Sequence, residues 1–149
     1  MGRRPEIQLT AEEQAAFLRE PHKAALATID KDGFPHVVAM GFQAQDGALY
    51  MTSYAKAQKV VNIRRNPQVG VMIEAGQRYA DFRGVMIRGR CEIIEDPQLV
   101  ETFMRRVRAR QGLTEAPATA ITSAPKRVVL KITPEKIASW DHTKLGGRY

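Results

Sequence analysis

Between residues 84 and 94 the chain alternates, with Val85, Ile87, Cys91 and Ile93 on one side and Arg88, Arg90 and Glu92 on the other. A period of two marks a strand with one face in a core and the other in water. Apolar runs at 24–29 (AALATI), 34–42 (FPHVVAMGF), 48–53 (ALYMTS), 68–75 (QVGVMIEA) and 126–132 (KRVVLKI) predict further strands. DKDG (30–33) and QDG (45–47) separate the first three. Asp-Gly tolerates the positive φ that tight hairpins need, so 24–53 is expected to be an antiparallel meander.

Helical spacing appears three times. Thr10 precedes AEEQAAFLRE, with Glu13 placed to complete a capping box. DPQLVETFMRRVRARQ (96–111) opens with a capping Asp and a Pro, and Leu99, Val100, Phe103, Met104 and Val107 form one apolar stripe. Its Arg105, Arg106, Arg108 and Arg110 gather near the C-terminal end, where the helix dipole favours cations. A third helix follows the strand at 48–53 and ends at Asn66, because Pro67 disfavours helical geometry in the residue before it.

The stretch 112–125 fits either a loop or a weak helix. Thr133-Pro134 is expected to close the last strand ahead of KIASW (136–140) and a short tail. Six or seven mostly antiparallel strands with inserted helices predict a mainly β (α+β) domain, a small barrel or sandwich with helices packed outside. It is expected to be one domain over 1–149, with 1–9 and 146–149 as flexible ends. The hairpins, and the absence of a Gly-rich phosphate loop after any strand, argue against a doubly wound nucleotide fold.

Composition narrows the class without choosing within it. The chain is 44% hydrophobic and 26% charged, with no apolar run near the ~20 residues of a membrane span and no apolar segment in MGRRPEIQLT. Cys91 is the single cysteine, and His22, His36 and His142 are scattered, so neither a disulfide nor a metal site is expected. A cytoplasmic, metal-free protein is the expectation, with Cys91 as a small core residue. The excess of 23 basic over 16 acidic residues, +7, fits a solvated surface, nucleic acid, an anionic membrane or an anionic small molecule.

Position gives the charge a meaning in TSYAKAQKVVNIRRNP (52–67). Lys56 and Lys59 stand at a helix N-terminus, whose unpaired N–H groups and partial positive charge favour acidic residues. An anion there would satisfy both the N–H groups and the lysines, with Thr52 and Ser53 adding hydroxyls and Gln58 an amide. Lysines that simply extend into solvent would cost only a few tenths of a kcal/mol, so on chemistry alone both readings stand.

LATIDKDGFPHVV, DGALYMTSYAKAQKVVNIRRNPQVGVMIE, RGVMIRGRCEIIEDP and SWDHTKL together, from Ala24 to Leu145, resemble the pyridoxamine-phosphate-oxidase-like split β-barrel family. The likeness is nearer to its flavin- and deazaflavin-dependent oxidoreductases. It implies an FMN-binding type of split barrel of about six antiparallel strands with flanking helices. It also implies a cofactor phosphate held by Thr52, Ser53, Gln58 and Lys59, with Lys56 as an addition. His36, Val37, Val38 and Ala39 would line the tricyclic ring through their backbone. Members are typically homodimers with sites at the subunit interface, which would bring in Trp140 and Lys144 from the other chain; without the resemblance Trp140 reads as a core aromatic.

Gln58 stands where the oxidase proper carries Arg, and the tail DHTKLGGRY lacks the oxidase's arginine-bearing end. SWDHTKLGG and QKVVNIRRNP resemble instead the group that uses coenzyme F420, whose anionic tail would suit Lys56, Arg64 and Arg65. The implied function is F420-dependent hydride transfer to an unsaturated small molecule, with the protein supplying binding and orientation. Alternatives are an FMN-dependent enzyme of the same fold, or a non-catalytic flavin- or haem-binding protein. A nucleic-acid binder using Arg105 to Arg110 lacks the aromatic platform such proteins use. No catalytic side chain is assigned, though His36 or Tyr79 could donate a proton.

Overall fold

The computed structural model describes residues 4–110 and 123–148. The strands are β1 (Ala24–Ile29), β2 (Pro35–Met40), β3 (Gln43–Gln45), β4 (Ala48–Tyr54), β5 (Gln68–Ala75), β6 (Arg83–Ile94) and β7 (Arg127–Asp141). The helices are α1 (Arg4–Ile7), α2 (Ala11–Arg19), α3 (Gln58–Arg65) and α4 (Pro97–Arg110). All seven strands join one antiparallel sheet in the order β2-β1-β5-β6-β7-β4-β3. The sheet curls around Leu26, Met51, Val71, Ile73, Ile87 and Leu130, and Phe17 of α2 with Val60 and Ile63 of α3 closes that core. This is the split barrel expected from the sequence.

The meander is corrected. Both Asp-Gly hairpins form, and Asp46 (φ 50) with Gly47 (φ 78) makes the second turn. The run 34–42, however, ends as a strand at Met40 and forms β2, one edge of the sheet, while the second hairpin is made by the unexpected short strand β3 just beyond it, on the opposite edge. Alternation states which face of a strand is buried; it carries no information about which strand lies beside it.

The last strand is also longer than expected. β7 continues through Pro134, where a register shift sets Pro134 and Glu135 against Gly89. A bulge is where a sheet accepts a residue without an N–H, so the proline does not end the strand. β7 therefore pairs with β4 through its first half and with β6 along its length.

Thr10 and Glu13 complete the capping box of α2, and Asp96 Oδ1 accepts from the N–H groups of Gln98 and Leu99 at the start of α4. The stripe on α4 is narrower than expected: Val100 is buried while Leu99 is 58% exposed. The end expected to be flexible carries α1, which packs on the 3-10 turn His142–Leu145, and the Leu9 N–H donates to Ser139 Oγ at 3.0 Å. Of the stretch 112–125, residues 112–122 lie outside the described residues; Ala124–Lys126 is a 3-10 turn. Cys91 lies in the core, where burial pushes its thiol up to about 12.

Candidate functional site

Strand β4 delivers the chain to α3 through Ala55, Lys56 and Ala57. Ala57 is the N-cap, in extended conformation and without a side-chain acceptor, and no acidic residue stands in the first turn. The helix begins two residues later than Lys56, so Lys56 precedes it and Lys59 occupies its second position. Among the described residues neither lysine has a hydrogen-bond or ion-pair partner; Lys59 is half-buried and Lys56 exposed. Two unpaired cations therefore stand beside the unsatisfied N–H groups of an uncapped helix.

The strand period separates the two hydroxyls proposed beside them. Ser53 faces the core, 3% exposed, and its hydroxyl donates to the Tyr54 carbonyl at 3.2 Å. Thr52, half-buried, points to the other face opposite Val129. The Gln58 amide turns along its own helix, with Nε2 donating to Asn62 Oδ1 at 2.8 Å.

From there hydrogen bonds lead toward β2, the strand of residues 36–39. Asn62 Nδ2 donates to Thr28 Oγ1 at 3.0 Å, both residues lie out of solvent, and Thr28 pairs in register with His36. Through Asn62 and Arg65, α3 thus lies against the end of β1, the neighbour of β2. As an edge strand, β2 leaves one row of its backbone groups without a strand partner. Val37 and Ala39 face outward and Val38 packs toward the core; on the same side as Val38, the Nδ1 of His36 is buried without a partner.

The remaining cations are distributed otherwise than the sequence implied. Arg64 is paired with Glu95 at 2.5 Å, and Arg65 donates to the Ile29 carbonyl at 2.7 Å. Arg127 instead stacks on Tyr54, 3.9 Å from the ring centroid, beside the entrance to α3. That placement depends on the pairing of β4 with β7, which no local pattern announces. Thr28 and Asn62 also escaped the sequence reading, although a polar residue on the apolar face of each element was a usable signal.

Trp140 and Lys144 lie elsewhere within the chain. Val129, the partner of Thr52, and Trp140 are separated by roughly 35 Å along the strand. Lys144 donates to the Gln8 carbonyl at 2.7 Å and to Glu13 at 2.8 Å, which joins the C-terminal turn to the start of α2. Across the outer face of the sheet Ala39, Ala25, Met72, Met86 and Ala138 stand in one row, with Met72 45% and Met86 44% exposed. A cleft of about 240 Å³ between α2 and the β3–β4 turn, floored by Leu49 and Ile87, contains none of the residues 36–39 or 52–59.

Known proteins share the fold. A conserved hypothetical protein of Mycobacterium tuberculosis, Rv2991, is 34% identical with a TM-score of 0.87, over 100% of this chain and 95% of that one. A protein described as an F420 reductase is 30% identical with a TM-score of 0.71, over 87% and 98%. A FAD-binding protein of Mesorhizobium loti is 27% identical with a TM-score of 0.68, over 89% and 94%. A comparison with curated proteins finds no match. The family model for pyridoxamine 5'-phosphate oxidase matches residues 10–141, from the N-cap of α2 to the end of β7. The chain therefore belongs to the pyridoxamine 5'-phosphate oxidase family and has its flavin-binding oxidoreductase fold.

Proposed function

We propose that the protein is an oxidoreductase that binds coenzyme F420 and passes a hydride between the deazaflavin and an unsaturated small molecule. The observation that carries this reading is the uncapped N-terminus of α3, free of acidic residues, with Lys56 and Lys59 unpaired beside the open edge of β2. The F420 reductase at 30% identity supports the choice of cofactor. With Arg64 and Arg65 engaged, Lys56 is the nominated cation left for the anionic tail, and Arg127 is a further one.

When bound, the deazaflavin supplies the hydride chemistry. The first turn of α3 and Lys59 hold the phosphate, and the backbone of His36, Val37, Val38 and Ala39 orients the ring. Thr52, Ser53 and Gln58 shape the approach, Ser53 through its bond to the Tyr54 carbonyl and Gln58 through its bond to the Asn62 side chain. The second protomer contributes Trp140 across a homodimer interface on the outer sheet face. Lys144, held by Glu13, fixes the turn that follows Trp140. The protein acts in the cytoplasm; no helix among the described residues is long and apolar enough to cross a membrane.

The FMN-dependent enzyme is the second reading, favoured by the FAD-binding relative at 27% identity. Titration of both cofactors, followed by quenching of the single tryptophan at low and moderate salt, separates them. F420 should bind more tightly and lose affinity steeply with salt, because exposed charges are screened over ~10 Å at 0.1 M. Tighter binding of FMN than of polyglutamylated F420 would move the assignment to the FMN enzyme.

A further inference from the structure

The Asn62 side chain is fully buried with both ends of its amide engaged. On one side it accepts from Gln58, which is exposed at the start of α3; on the other it donates to Thr28, beneath the helix on β1. Thr28 in turn stands opposite His36 on β2. One buried amide therefore links the end of the helix where an anion would sit to the strand along which a ring would lie.

We propose that Asn62 is a positioning residue that sets the separation and orientation of these two halves of the cofactor site. The proposal rests on the cofactor reading above and names what holds that site together. Helix α3 is only eight residues long, and such a short helix has little stability or direction of its own. Val60 and Ile63 hold it to the core by apolar contacts, which are not directional, and the bonds of Arg64 to Glu95 and of Arg65 to the Ile29 carbonyl tie only its C-terminal end. A hydrogen-bonded amide with no water to replace its partners is directional, and misalignment would strand a buried polar group. The tie to Thr28 thus fixes where the first turn points relative to β2.

This role differs from that of a buried polar residue which only adds stability. A ligand reaching both halves gains from their fixed separation, as two linked binding events gain from a matched spacing. A fragment touching one half gains nothing from it. Loss of the tie should therefore weaken whole cofactors and spare the fragments.

The test compares Asn62→Leu and Thr28→Val with the wild type, at a temperature where circular dichroism shows each folded. Four ligands are titrated by calorimetry and NMR: F420, FMN, inorganic phosphate, and lumichrome as the ring without its chain. Whichever whole cofactor the wild type binds should lose about tenfold or more in affinity, while phosphate and lumichrome stay within about twofold. Thr28→Val removes only the acceptor for Asn62, so it carries the test alone if Asn62→Leu does not fold. Whole-cofactor affinities unchanged in the face of lowered melting temperatures would make Asn62 a stability residue and overturn the proposal. An equal loss for a fragment and a whole cofactor would also overturn it, by placing Asn62 in one half alone. A wild type that binds neither F420 nor FMN would instead remove the cofactor reading itself.

Discussion

Trp140 donates its indole N–H to a carboxylate oxygen of Glu74, 2.9 Å away, with its ring lying over the backbone of Gly84. The contact spans three adjacent strands: Trp140 on β7, Gly84 on β6 and Glu74 on β5. Gly84 is required by close approach. A Cβ there would meet the Ile73 carbonyl oxygen at 2.5 Å and the indole at 2.7 Å.

Gly84→Ala should therefore displace the indole and destabilise the protein by about 1–3 kcal/mol, the usual cost of overpacking. Denaturant unfolding and the emission maximum of the single tryptophan would both record it. A variant with wild-type emission and stability would mean that the indole does not lie over this backbone.

Lys59→Ala should weaken cofactor binding by about 1.5–3 kcal/mol, the worth of a charge-assisted hydrogen bond, with little change in melting temperature. The same change at exposed Arg106 on α4 is the control and should leave affinity unaltered. Equal affinities for both variants would return Lys59 to the solvated surface.

The methionine row predicts the assembly. Met72→Glu with Met86→Glu places like charges opposite one another on the outer face, since these residues pair in register. Light scattering should change from a dimeric to a monomeric mass, and cofactor affinity should fall even though α3 is untouched. A wild-type protein that is monomeric at micromolar concentration would remove the basis for Trp140 in the site.

The Lys144–Glu13 contact predicts a pH dependence. The hydrogen bond from Lys144 first, and then that from the Thr10 N–H, holds the Glu13 carboxyl below its usual 4.5. A depressed carboxylate stabilises the fold above its unfolded pKa and loses that contribution as pH falls through the folded value. Lys144→Ala should raise the Glu13 titration in NMR toward 4.5, and its melting deficit at pH 7 should narrow as pH falls below about 4. A deficit that stays constant with pH would leave only the bond to the Gln8 carbonyl at work.

Local pattern was enough for what local physics controls. The strand 24–29, the alternation of 84–94, the capping box at Thr10 and Glu13 and the helix stop before Pro67 each depend on residues a few positions apart, and each appears where it was read. The conflict between two lysines and a helix N-terminus was equally legible, because helix charge is a local property. Tertiary structure alone decided the rest. It separated β2 from β3, carried β7 through Pro134, engaged Arg64 and Arg65, and brought Arg127 to Tyr54 and Asn62 to Thr28. Those outcomes follow from which strands become neighbours, and that is settled by closing one core across residues far apart in the chain; periodicity specifies a face for each element but no partner.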